Sequence, residues 1–338
     1  MESWSRRPGG CFAAEPWATL PARAGERPSV PPGALPMTAS PAVSAAPLER
    51  LRTYASFVRF EHTLFSLPLV LAGVFSGPGA PLTAARWALI GVAAIGARTA
   101  AMALNRLIDR RLDALNPRTK QRELPAGRMR LAEAWLLFGA GAGIYLVACA
   151  ALGPWFLKVA GLPLVVFTVY PYLKRFTPFC HFGVGAALAL APLAGYAAAH
   201  PDLSRPGPAL WLSAFALLWV SGFDIIYATL DEDFDRFHRL RSMVVWQGRD
   251  RALVVAGVLH LVAFLCLAVA VGGTLIGAPH IADWGLPAVV AALTMTGVLL
   301  YLEQRWAGDV DLAFFKVNVF VGFAALATVL TARAAVGF

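Results

Sequence analysis

Nine long apolar stretches run through the chain from residue 57 onward, at 57–77, 84–105, 131–151, 154–172, 182–200, 209–229, 252–274, 284–302 and 313–334. Each approaches the roughly 20 residues a helix needs to cross a hydrocarbon layer. In lipid, such stretches fold as helices because a helix satisfies its own backbone hydrogen bonds. The pattern predicts an all-α polytopic membrane bundle of about nine transmembrane helices, as two four-helix halves plus a final helix.

Composition removes the competing classes. Hydrophobic residues make up 58%, charged residues 14%, and the mean hydropathy is +0.62. Soluble domains carry roughly 25% charged residues, so a soluble Rossmann enzyme, a DNA-binding module and a disordered protein are all excluded. The net charge of +9 follows from topology and not from a nucleic-acid partner. Of the 29 lysines and arginines, 24 fall in loops on the side that holds the N-terminus. Positive charge marks the cytoplasmic side, so this basic side is expected in the cytoplasm.

Residues 1–48 hold 9 of the 24 prolines and no sustained apolar period. They read as a disordered Pro/Ala/Arg-rich extension ahead of a membrane domain at 49–338. The extension has no signal-peptide core. Met37 is an alternative start, in which case residues 1–36 are not translated. The four cysteines form no CxxC pair. They read as free thiols, with Cys149 and Cys266 as small apolar fillers.

The polar chemistry gathers on the basic side. Asn105, Asp109 and Asp113 are spaced by four, a step that drifts only about 40° around a helix. Asp224, Tyr227, Asp231 and Asp235 also share one helical face. A lone acidic residue at a span end is usually a solvated boundary charge. Two one-face stripes on one membrane side, each continuing an apolar span, repel themselves unless cations neutralise them. Carboxylate and amide oxygens suit Mg²⁺, which retains waters and binds substrate phosphates together with one or two carboxylates. Arg118, Arg122, Lys174 and Arg175 lie beside the stripes. Positive-inside topology alone accounts for them, but they also suit phosphate oxygens. Arg98 is an intramembrane arginine, seven residues before Asn105. Such a residue is expected to be paired or functional. Phe65, Trp135 and Trp219 are open to three readings: tunnel lining, lipid contact or helix packing.

At these residues the chain resembles the UbiA-type intramembrane aromatic prenyltransferases. The family's NDxxDxxxD motif stands as Asn105, Arg106, Asp109 and Asp113, and DxxYxxxDxxxD as Asp224, Tyr227, Asp231 and Asp235. The RTxxRPLxxG segment is similar to Arg118, Thr119, Arg122, Glu123, Leu124 and Gly127. YPxxKRFT matches Tyr170, Pro171, Lys174, Arg175, Phe176 and Thr177. The likeness covers roughly residues 50–338. Two departures bear on the acceptor. Arg106 stands where the motif has Asp, and Arg59 to Thr63 stand where hydroxybenzoate enzymes have a basic residue followed by Pro. Both resemble the bacterial branch of 4-hydroxybenzoate polyprenyltransferases, part of which is similar to the prenyltransferases of the futalosine route to menaquinone.

The resemblance implies Mg²⁺-dependent transfer of a polyprenyl chain from its diphosphate to an aromatic acid, of 4-hydroxybenzoate or 1,4-dihydroxynaphthoate type, in ubiquinone or menaquinone biosynthesis. It implies that Asn105, Asp109, Asp113, Asp231 and Asp235 hold the metal and that Arg118, Arg122, Lys174 and Arg175 bind the diphosphate. Asp224 and Tyr227 then serve acceptor orientation or proton removal, Arg98 meets the acceptor's carboxylate or a motif aspartate, and Arg59 and His62 are acceptor contacts. Haem, chlorophyll or glycerophospholipid prenylation in the same superfamily is an alternative. A cation-coupled transporter is an alternative of another class, disfavoured because transporters carry their coupling residues near the midplane.

Overall fold

The computed structural model describes residues 47–59, 63–77, 82–200, 203, 205–276, 278–308 and 317–337, and of residues 63–65 only the backbone. Residues 1–46, His62 and the Phe65 side chain lie outside the described residues. Among the described residues the regular structure is helical throughout, in the order α1 (Pro47–Phe57), α2 (Thr63–Phe75), α3 (Ala84–Leu115), α4 (Leu131–Leu152), α5 (Pro154–Val159), α6 (Gly161–Leu173), α7 (His181–Ala199), α8 (Gly207–Ala228), α9 (Glu232–Phe237), α10 (Met243–Gln247), α11 (Arg249–Ile276), α12 (Gly285–Arg305) and α13 (Asn318–Ala335).

Among the described residues, eight helical segments are long and apolar enough to cross a membrane, with α5–α6 and α8–α9 each counting as one. The ninth expected span, 57–77, is not a continuous helix. Phe57 ends α1, where its ring is buried against Ala103, Leu107 and Met129 at the α3–α4 corner. The remaining apolar helix, α2, has 13 residues. It rises about 20 Å, short of a hydrocarbon layer of about 30 Å.

The main core is built from α2, α8, α11, α12 and α13. The last helix is no appendage, because α13 packs on α2, α11 and α12. Trp219 is fully buried in this core, and its Nε1 donates to Asn318 Oδ1 at 3.0 Å and Glu303 Oε2 at 3.3 Å. Of the readings left open for it, helix packing is the one observed. Trp135 is half exposed on α4. Small residues let α2 and α7 touch backbone to backbone: a Cβ on Gly73 or on Gly195 would lie 2.0 Å from the carbonyl oxygen of Pro192 or Val70. Close approach of this kind is how helices associate where lipid removes the hydrophobic drive.

One length mismatch positions the polar chemistry. Helix α3 has 32 residues and is about 48 Å long. Its N-terminus is set by Thr83, whose hydroxyl accepts from Arg86 N at 3.2 Å. The last third of α3 therefore overhangs the hydrocarbon at the other end, where α8 and α9 also continue past it.

Candidate active site

The overhanging ends enclose a cavity of about 220 Å³, lined from α3, the 116–122 segment, the ends of α6 and α7, and α8–α9. Asn105, Asp109, Asp113, Arg118, Arg122, Lys174, Asp224, Tyr227, Asp231 and Asp235 all face it. Thus the structure brings together ten of the fourteen residues expected from sequence.

The first stripe lies on one unbroken helix. Asp109 and Asp113 are each only 6% exposed. Lys174 Nζ donates to Asp109 Oδ2 at 2.7 Å, and Arg175 Nη2 lies 3.4 Å from Oδ1. Arg175 is in turn steadied over the Tyr172 ring, 4.8 Å from its centroid. Arg122 Nη1 donates to Asp113 Oδ1 at 2.7 Å. Asn116 ends α3 and turns its amide across the cavity, donating to Asp231 Oδ1 at 2.8 Å.

The second stripe departs from the expected single helical face. Helix α8 stops at Ala228, a 3₁₀ turn spans Thr229–Asp231, and α9 begins at Glu232. Asp231 leaves helical geometry at φ −110° and ψ 9°. A contact from the opposite wall accompanies this break. Arg118 grips Asp231 with both arms of its fork, Nε to Oδ1 at 2.9 Å and Nη2 to Oδ2. The same guanidinium reaches the Tyr227 hydroxyl and lies over that ring, 4.7 Å from its centroid. Burial works against the Arg118 charge, but the bonds to Asp231 and Tyr227 outweigh it and raise its pKa above the ordinary guanidinium value.

Deeper in the cavity, Asp224 Oδ2 lies 2.7 Å from His181 Nδ1. Tyr170 stands nearby, close to Asn105, Arg98, Asp109 and Asp224. Asp235 lines the cavity and has no ion pair among the described residues.

Three expected residues stand elsewhere. Arg175 acts on Asp109 from outside the lining, and Arg98 lies two turns deeper on α3, near Tyr170. Arg59, at φ +48°, is a neighbour of Arg106 behind the first stripe. His62 lies outside the described residues. Among the described residues no three acidic, histidine or cysteine side chains gather into a ready-made metal cage. The donor set still fits Mg²⁺: all its donors are oxygens, and this ion needs only one or two protein carboxylates beside phosphate and water. Sequence reasoning missed His181 and Asn116. The signal for His181 was its position, the first residue of a span on the side that carries both stripes.

The model of the UbiA prenyltransferase family matches residues 66–332. The 4-hydroxybenzoate octaprenyltransferase of Vibrio parahaemolyticus is 30% identical over 226 residues, covering 65% of this chain and 77% of that one. The enzyme of the same name from Shewanella halifaxensis is 28% identical over 276 residues, covering 80% and 93%. Among solved structures, a UbiA homolog from Aeropyrum pernix superposes with a TM-score of 0.67 at 34% identity, over 80% of this chain and 97% of that one. A UbiA homolog from Archaeoglobus fulgidus, bound to GPP and Mg²⁺, shares the fold with a TM-score of 0.60 at 18% identity, over 85% and 100%.

Proposed function

The chain belongs to the UbiA prenyltransferase family, and on that premise we propose that it transfers a polyprenyl group from its diphosphate to an aromatic acid of 4-hydroxybenzoate or 1,4-dihydroxynaphthoate type. The product belongs to ubiquinone or menaquinone biosynthesis. One observation carries the reading: carboxylates from two walls and cations from two intervening segments meet around a single cavity. A metal-bridged diphosphate needs both kinds of group at once.

Arg118, Arg122, Lys174 and Arg175 exchange carboxylate partners for diphosphate oxygens. The freed oxygens of Asp109, Asp113 and Asp231, with Asn105 and Asp235, would hold Mg²⁺. When bound, Mg²⁺ neutralises the charge that develops on the leaving diphosphate as the allylic C–O bond breaks. A preorganised donor at such a position is worth about 3–4 kcal/mol of barrier. Leu112, Pro171 and Val184 supply apolar wall that keeps water from the allylic cation. Asp224 and Tyr227 orient the acceptor ring, and Asp224 takes the proton the acceptor loses. Arg98 interacts with the acceptor carboxylate. The protein is an integral membrane protein, and the distribution of its basic loops supports a bacterial inner membrane with the cavity on the cytoplasmic side.

The test is an acceptor panel on membranes containing the protein, with a long-chain prenyl diphosphate and Mg²⁺. Metal-dependent product with 4-hydroxybenzoate assigns it to ubiquinone synthesis. Product only with a dihydroxynaphthoate acid assigns it to the menaquinone route. No product with either overturns the aromatic-acid assignment.

A further inference from the structure

Among the described cavity carboxylates that have an ion-pair partner, Asp224 differs from the rest. Asp109, Asp113 and Asp231 are held by lysine or arginine, whereas Asp224 is held by a histidine. That histidine is itself fixed on both sides. Met243 N donates to His181 Nε2 at 3.2 Å. A ring nitrogen that accepts from a backbone N–H carries no proton, so the proton of His181 sits on Nδ1 and is donated to Asp224. The His181 side chain is 2% exposed, whereas that of Asp224 keeps 26%. The Asp224 oxygen that His181 does not hold has no recorded donor among the described residues.

We infer that His181 is a positioning residue for the prenyl-transfer chemistry: it occupies Asp224 Oδ2 and so aims Oδ1 at the acceptor. The inference rests on the prenyltransferase reading and extends it to a residue outside both aspartate stripes. When the new carbon–carbon bond forms and the acceptor loses a proton, that proton bonds to Oδ1. The partner type matters for this task. A carboxylate clasped by a permanent guanidinium is a poor proton acceptor. An imidazole that donates from Nδ1 and accepts at Nε2 holds the carboxylate through a single bond, and such an outer partner commonly sets the orientation of the group it holds.

The backbone that holds His181 also reaches the diphosphate end. Arg241 N donates to Lys174 O at 2.7 Å, and Cys180 Sγ donates to Arg241 O at 3.4 Å. Segment 241–243 therefore ties the Lys174 backbone, the residue preceding His181 and the His181 ring together. Asp224 is seven residues before Asp231, about 10 Å deeper along the helix. The ring holds the deep end of the cavity in register with the ionic end.

Two isosteric variants separate the two ring contacts. In His181→Asn the amide N–H takes the place of Nδ1 and keeps the bond to Asp224. In His181→Gln the amide reaches the Nε2 position and loses that bond. We expect His181→Asn to keep kcat within about 10-fold of wild type and His181→Gln to lose about 100-fold, the scale of one acid–base group. The KM for prenyl diphosphate should not change in either. Added to Asp224→Asn, His181→Gln should cost nothing further, because residues acting as one unit are non-additive. Equal kcat losses in the two single variants, or a KM that rises in step, overturn the inference. Melting in detergent identifies a variant that fails to fold. A readout independent of turnover is the ¹⁵N spectrum of histidine-labelled wild type in nanodiscs, assigned by the signal lost in His181→Asn. An Nδ1-protonated tautomer supports the inference and an Nε2-protonated one overturns it. Wild type without turnover on any acceptor, but with the Nδ1–H tautomer, would sink the prenyltransferase reading and leave the geometry of the pair standing.

Discussion

The two walls of the cavity carry the same kind of side chain on different kinds of backbone. The first wall is one helix from Ala84 to Leu115, and its aspartates are almost wholly buried against Lys174, Arg175 and Arg122. The second breaks between Ala228 and Glu232, and its Asp231 and Arg118 keep 17% and 30% of their side-chain surface. One wall is a fixed rail, and the other is a jointed one. In the second, a three-residue turn held by hydrogen bonds across the cavity replaces the continuity that α3 derives from its own ladder. Equal charge patterns thus come with unequal rigidity, and the two walls should respond differently to the same substitution.

The largest effect should be common to both walls. Chelation with EDTA should bring prenyl transfer to background, and added Mg²⁺ should restore it; activity that survives exhaustive chelation would refute the metal assignment for both stripes. Next come Asp109→Asn and Asp231→Asn, each expected to cost about 10³-fold in kcat, at the upper end for a single electrostatic contact. Their stabilities should diverge. Stripping the partner from a buried pair costs about 3–5 kcal/mol, whereas an exposed pair is worth about 0–1 kcal/mol. Thermal melting should therefore fall clearly for Asp109→Asn and little for Asp231→Asn, and equal shifts would erase the distinction between rail and joint. Arg118→Lys keeps the charge but loses the fork, so the KM for prenyl diphosphate should rise roughly 10-fold, one bidentate contact's worth. The smallest effect is expected for Tyr227→Phe. It removes one hydroxyl contact to Arg118 and keeps the ring beneath the guanidinium, so kcat/KM should fall only about 3–10-fold, in line with one hydrogen bond to a charged group. A larger loss would mean that the hydroxyl touches substrate.

What could be read ahead of the structure depended on whether the information was local. The spans are local, because hydropathy over 20 residues decides whether a helix stays in lipid. The stripe of Asn105, Asp109 and Asp113 was legible for the same reason: α3 continues as one helix past the end of its apolar stretch. The break at Thr229–Asp231 was not, because the partner that Asp231 meets there, Arg118, is 113 residues away. His181 escaped because its partner Asp224 is 43 residues distant, and a lone histidine has no spacing to betray it. The first apolar stretch was legible as a helix but its start was not, because hydropathy cannot reveal that Phe57 is claimed by the α3–α4 corner.

The pairing inside the cavity also bears on selectivity. Lys174 with Asp109, Arg122 with Asp113 and Arg118 with Asp231 serve as one another's counterions. A free anion such as orthophosphate must unseat a carboxylate and leave it bare, and a free divalent cation must unseat a guanidinium. Neither recovers what it displaces. A ligand that presents clustered negative charge together with a divalent cation satisfies both sets in one event. The cavity is thus built to favour the two kinds of charge in combination over either one alone.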